Sequence, residues 1–140
     1  MKIKYDITLM KFISLFEYVT YAKVKDCFID KQMGDLLTFV VQPGQIGKAV
    51  GKGAVNVKNL EQKLKRKIRV IEYHPELVGL IKNMIMPLRA DRVEHLDGVV
   101  TIRSNDTKIK GLLIGRNAAN LRNLEENVRR YFEVKEIKVV

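Results

Sequence analysis

One stretch of this chain occurs twice. Residues 51–72 read GKGAVNVKNLEQKLKRKIRVIE and residues 115–136 read GRNAANLRNLEENVRRYFEVKE. At a constant offset of 64 positions, without a gap, they share Gly51/Gly115, Ala54/Ala118, Asn56/Asn120, Asn59/Asn123, Leu60/Leu124, Glu61/Glu125, Val70/Val134 and Glu72/Glu136. Lys52/Arg116, Lys58/Arg122 and Lys65/Arg129 keep their charge. Self-similarity at a fixed period predicts two copies of one supersecondary unit. Each copy carries a small loop that opens a basic helix. The predicted units are residues 1–74 and 75–140.

The hydropathy pattern around the repeat completes each unit. In residues 6–20, Leu9, Phe12, Ile13, Phe16 and Val19 fall at helical spacing, with Asp6 or Thr8 as cap. Residues 22–30 and 35–41 read as two strands joined through Gln32-Met33-Gly34. Pro43-Gly44 ends the second strand, and residues 45–50 form a short helix leading to Gly51. A longer helix runs from Ala54 to Lys65, and residues 68–73 make a third strand. In the second half, Pro75 suits the first turn of a helix over residues 76–86. Residues 91–95 and 99–103 form a hairpin around Asp97-Gly98. Helices over 105–114 and 119–130 flank the second loop, and residues 132–140 read as the last strand. The predicted class is α+β, each unit a three-stranded sheet packed by helices. The aromatic residues Tyr5, Phe12, Phe16, Tyr18 and Tyr21 are expected in core or helix packing.

Charge narrows the choice of partner. The 140 residues carry 26 basic and 16 acidic side chains, a net +10. The excess is +1 in residues 1–41, +6 in residues 42–84 and +3 in residues 85–140, so it gathers around the first copy. A basic surface suits nucleic acid, an anionic membrane or an acidic protein. No run of about 18 apolar residues suggests a membrane span, so no membrane partner is expected. The single cysteine, Cys27, cannot form an internal disulfide, which fits a reducing, cytoplasmic setting. His74 and His95 are far apart, and the Asp residues show no metal-loop spacing. No metal or cofactor is therefore predicted. Gly47-Lys48 and Gly51-Lys52 lack the spacing and the Ser/Thr of a nucleotide P-loop. No acid–base pair or activated nucleophile stands out, so an enzyme is not expected.

Gly51-Lys52-Gly53-Ala54 lies between two predicted helices. Glycine lets the backbone turn tightly and lets another chain approach. The first amides of the following helix are unpaired and, with the helix dipole, favour phosphate. Lys52 adds a cation at the tip. Gly115-Arg116-Asn117-Ala118 repeats the arrangement, with Asn117 able to take a left-handed conformation. Alanine at Ala54 and Ala118 is expected to sit in right-handed helical geometry. Lys48, Lys58 and Arg122 lie close enough in sequence to contact the same ligand. Lys58, Lys65, Arg66, Arg122, Arg129 and Arg130 also lie on helix faces that water would solvate in any case.

At these residues the chain resembles KH domains. Those carry a Gly-x-x-Gly loop between two helices beside a three-stranded sheet and clamp about four nucleotides. The element order resembles the type II form. Residues 39–53, FVVQPGQIGKAVGKG, together with Val70-Ile71-Glu72-Tyr73 and Leu80-Ile81-Lys82-Asn83 ahead of Pro87, are similar to the NusA family. The likeness covers residue 5 to the end and is greatest to the short archaeal form of two KH domains. Bacterial members add a polymerase-binding domain and an S1 domain, for which 140 residues leave no room. The resemblance implies binding of single-stranded RNA and modulation of transcription elongation or termination, with RNA polymerase as partner and a monomeric chain. It implies an RNA site of Lys48, Gly51, Lys52, Gly53, Ala54, Lys58, Gly115, Arg116, Asn117, Ala118 and Arg122. The fourth loop position, normally glycine, is alanine in both copies, and the second loop keeps a single glycine. That makes the second loop the weaker clamp. Two other readings stay open: a protein-interaction module of the transcription machinery, and an RNA-binding factor in ribosome assembly.

Overall fold

The computed structural model describes residues 6–140. Contacts divide the described chain into a unit ending at His74 and a unit from Pro75 to Val140.

In the first unit, helix α1 spans Ile7–Thr20, strands β1 and β2 span Val24–Asp30 and Leu36–Val41, helices α2 and α3 span Ile46–Val50 and Val55–Leu64, and strand β3 spans Ile68–Glu72. Asp6 caps α1, its Oδ1 accepting from the Leu9 N–H at 2.8 Å, so one orphan donor of the first turn is satisfied. The apolar stripe of α1 packs as its spacing predicts: Phe16 is fully buried, and Leu9, Phe12, Ile13 and Val19 pack against the core around it. The Phe16 and Phe39 rings stack with centroids 4.1 Å apart. Cys27, Leu37, Val41, Ala49 and Leu60 complete that core. β1 and β2 run antiparallel, while β3 joins β2 in parallel through the α2–α3 crossover. A parallel neighbour requires such a crossover, and this one carries the first repeated loop.

Tyr18 and Tyr21 do not pack as expected; each is 78% exposed. Tyr18 stands two positions after Phe16, which on a 3.6-residue turn is the opposite face. Tyr21 is the left-handed C-cap of α1. Tyr5 lies outside the described residues.

The second unit repeats the order. Helix α4 spans Leu77–Ile85, β4 and β5 span Arg92–Leu96 and Val99–Arg103, α5 and α6 span Thr107–Ile114 and Ala119–Val128, and β6 spans Glu136–Val139. Pro75 lies ahead of α4 rather than in its first turn, because the helix starts after Glu76. Asp97 and Gly98 both have positive φ, 51° and 81°, as a two-residue hairpin turn of this type requires. Asp106 caps α5 by accepting from the Lys108 N–H at 2.9 Å. β5 pairs antiparallel with β4 and parallel with β6. Val100, Ile102, Val128 and Ile137 are buried in this unit. Among the described residues, no helix is long and apolar enough to cross a membrane.

The 64-residue offset does not extend to the end of the repeat. α3 ends at Leu64 and β3 begins at Ile68, whereas α6 ends at Val128 and β6 begins only at Glu136. Val70 is therefore mid-strand, while its sequence match Val134 lies in the connection before β6. The last strand is also shorter than residues 132–140 suggested. Arg129 fixes the longer connection: its Nε donates to the Val134 carbonyl at 2.9 Å and its Nη2 to the Lys135 carbonyl at 2.7 Å. The helix carboxylates follow this shift. Glu61 accepts from the Ile68 N–H, seven residues on, at 3.0 Å. Glu125 accepts from the Ile137 N–H, twelve residues on, at 2.8 Å.

Candidate nucleic-acid interface

Both loops sit where a short helix hands over to a longer one, and their backbones coincide. Gly51 has φ 77° and ψ 166°, Gly53 64° and 24°, and Ala54 60° and 28°. Gly115 has 74° and 174°, Asn117 55° and 31°, and Ala118 62° and 22°. Having one glycine instead of two has not changed the second loop's shape. Asn117 occupies the left-handed region that asparagine tolerates better than most residues.

The alanines correct an expectation. Ala54 and Ala118 are left-handed, not right-handed, so the fourth loop position does call for the freedom of glycine. A Cβ there costs about 1 kcal/mol. Ala54→Gly should therefore stabilise the first unit by roughly 0.5 kcal/mol after the greater unfolded-state freedom of glycine is subtracted. Urea denaturation would read this as a raised midpoint; a lowered midpoint would mean that the alanine methyl makes contacts worth more than its strain.

Gly51 and Gly115 are constrained twice. Their φ/ψ values fall in a region populated almost only by glycine. In addition, a Cβ at Gly51 would lie 2.9 Å from Asn56 Nδ2, and one at Gly115 would lie 2.6 Å from Asn120 Cγ. The two asparagines press close because they hold the loop. Asn56 Nδ2 donates to the Lys48 carbonyl at 2.8 Å, and Asn120 Nδ2 donates to the Leu112 carbonyl at 2.9 Å. Each thus ties the start of the longer helix to an orphan carbonyl of the shorter one. Sequence reasoning assigned no role to this pair, although identity at matched repeat positions was the available signal.

The loop tips face water. Lys48, Lys52, Gly53 and Lys58 are exposed, as are Arg116, Asn117 and Arg122, while Gly51, Ala54, Gly115 and Ala118 are half-buried. The Ala54 N–H donates to the Gly51 carbonyl and the Ala118 N–H to the Gly115 carbonyl, which leaves Lys52 and Gly53, and Arg116 and Asn117, at the exposed tips of the two turns. Successive outward amides in such a turn form a concavity suited to an anion. The predicted residues thus gather into two groups, one on each unit. Lys58 and Arg122 occupy the same place on their helices but in different states. Arg122 Nη1 is 2.9 Å from Glu125 Oε1, and this hydrogen bond raises the guanidinium pKa above its ordinary value. Burial alone would raise the Glu125 carboxyl. The Ile137 N–H and then Arg122 outweigh it and hold that carboxyl below the usual carboxylate range. Arg122 therefore serves the α6–β6 junction as well as presenting charge. Among the described residues, Lys58 has no ion-pair partner.

Comparison with known proteins bears on these loops. Residues 13–94 match the model of the KH domain, from within α1 to within β4. The chain is 37% identical to a probable transcription termination protein NusA of Methanococcus vannielii, over 100% of this chain and 81% of that protein. This chain belongs to the NusA family of KH-domain proteins. A second NusA relative, from Methanocaldococcus jannaschii, is 30% identical over 91% of this chain and 70% of its own length. The solved structure titled "Crystal structure of APE1850" superposes with a TM-score of 0.76 at 25% identity, over 97% of this chain and 100% of that one. Within the NusA family match, the residues aligned to the KH model include the whole first loop and both helices that flank it.

Proposed function

We propose that this NusA-family chain binds single-stranded RNA through two tandem type II KH domains, residues 1–74 and 75–140, and acts in the cytoplasm on transcription elongation or termination together with RNA polymerase. The observation that carries the reading is the recurrence of one loop geometry at the start of α3 and of α6, with a cation at the same tip position in each. Phosphates sit against the outward amides of Lys52-Gly53 and Arg116-Asn117, where the helix starts favour negative charge. Lys52 and Arg116 neutralise the bound strand; Lys48, Lys58 and the uncommitted part of Arg122 lie beside it. Gly51 and Gly115 let the backbone come close. Bases lie across the apolar side of the flanking helices. No bond is made or broken, so no catalytic group is required. The names of the NusA relatives support the transcriptional setting, and RNA polymerase as partner follows from that setting.

The test is a salt titration. Binding of fluorescent oligo(U) of twelve nucleotides should weaken linearly in log K against log salt, with a slope of about −0.7 for each phosphate neutralised. Two loops with their lysines and arginines should give a slope of roughly −3. Affinity no greater than that of an unrelated protein of equal net charge would overturn the reading.

A further inference from the structure

The two copies differ most at the far end of the loop-proximal helix. Residues 58–69 hold six basic side chains, Lys58, Lys63, Lys65, Arg66, Lys67 and Arg69, and one acidic, Glu61, for a net +5. The matching residues 122–133 hold three basic and three acidic, for a net of zero. Four of the first copy's six, Lys58, Lys65, Arg66 and Lys67, line an open groove of about 510 Å³ together with Glu61 and Gln62, whereas Arg69 is half-buried in β3 and interacts with Asp30.

Three observations say that this charge is arranged for a ligand. Its one carboxylate is engaged, with Glu61 Oε2 accepting from the Ile68 N–H. Lys58, Lys63, Lys65 and Lys67 are exposed and form no ion pair among the described residues. Arg66 is held in place: Nη2 donates to the Asp35 carbonyl at 3.2 Å, and the guanidinium lies 5.7 Å from the Phe12 ring centre. In the second copy, by contrast, Arg122 is paired with Glu125 and Arg129 is spent on two carbonyls. Compensation of the helix dipole explains only a small part of the surplus. A helix C-terminus carries about half a negative charge, and the net +3 of the groove's lining exceeds that about sixfold.

We propose that the C-terminal end of α3 in the first unit is a second binding site for the phosphate backbone of single-stranded RNA. It takes the part of a strand that continues past the nucleotides held at Gly51-Lys52-Gly53-Ala54. The inference rests on the RNA-binding reading above. α3 has 10 residues, so the far end of the patch, at Lys65, Arg66 and Lys67, lies about 15 Å from the loop, with Lys58 between the two. At physiological salt the Debye length is about 8 Å, and charges that far apart act separately. A KH loop clamps about four nucleotides, so a tetranucleotide fills the loop alone and only a longer strand reaches the patch.

The variant Lys63→Gln/Lys65→Asn/Lys67→Gln separates the two sites. It leaves Arg66 in place and puts asparagine at Lys65, whose φ is 53°. With oligo(U) of twelve nucleotides, the variant should bind roughly tenfold more weakly, and its salt slope should be shallower by about 2, as for three lost phosphate contacts. With oligo(U) of four nucleotides at 0.15 M salt, affinity should stay within about twofold of wild type. An unchanged affinity and slope for the twelve-mer would overturn the proposal and leave an acidic protein as the patch's partner. An equal loss for both lengths would also overturn it, since that is a change of overall field and not of a site. Wild-type protein that binds neither length would remove the RNA reading itself, a result distinct from failure of the patch alone.

Discussion

Lys52→Asp combined with Gly53→Asp is expected to lower affinity for a twelve-nucleotide oligo(U) roughly 100-fold while leaving the first unit folded. Both halves of that expectation come from the loop. Gly53 has φ 64°, and a Cβ there meets nothing within 4 Å. Aspartate is among the few residues that tolerate this left-handed backbone, so the structural cost is small. The pair changes the tip charge by three units. At about 4 Å in high dielectric each unit is worth about 1 kcal/mol against a phosphate. Three such terms amount to about two orders of magnitude in Kd. Fluorescence anisotropy with labelled RNA would read the affinity, and circular dichroism would report the fold. A loss smaller than threefold in a folded variant would mean that the first loop is not the clamp. The same exchange at Arg116 and Asn117 measures the second loop. Because the two backbones coincide, a smaller loss there would reflect the charge around the loop and not its shape.

Gly115→Ala should destabilise the second unit by about 3 kcal/mol, which is large for the addition of one methyl group. The new Cβ would lie 2.6 Å from Asn120 Cγ in a backbone conformation that side chains rarely adopt. Asn120 cannot move aside without losing its hydrogen bond to the Leu112 carbonyl. Gly111→Ala, four residues earlier and inside α5, provides the contrast. A Cβ there meets nothing within 4 Å, and alanine is the better helix former by roughly 0.5–1 kcal/mol. One substitution type is thus expected to act with opposite sign at two glycines of one segment. Urea denaturation of each variant, or hydrogen exchange of the α5 and α6 amides, would show it. A Gly115→Ala loss below about 1 kcal/mol would mean that the loop relaxes at little cost.

Much of this was legible in the sequence because local signals agreed. The α1 stripe, the Asp97-Gly98 turn and the order of elements follow from spacing and turn chemistry that depend on a few neighbouring residues. The loops were legible because they occur twice. Ala54 and Ala118 were misread because residue type gives only a preference for φ; in the folded turn each alanine donates its N–H to the glycine carbonyl three residues back and takes the left-handed conformation there. Tyr18 and Tyr21 were misread because aromatic content is not burial, and the side of the helix decides.

By itself the sequence determined the duplication, the α+β class, the place of both loops and the concentration of charge on the first copy, since each is a property of residue order. The tertiary structure decided what order cannot carry. It ended the 64-residue register after the repeated helices, because β6 pairs with β5 through a longer connection held by Arg129. It also separated cations that are committed, such as Arg122, from cations left to the solvent, such as Lys58. Whether a charge is available depends on which carboxylate or carbonyl the fold brings within 3 Å of it, and that is a property of packing.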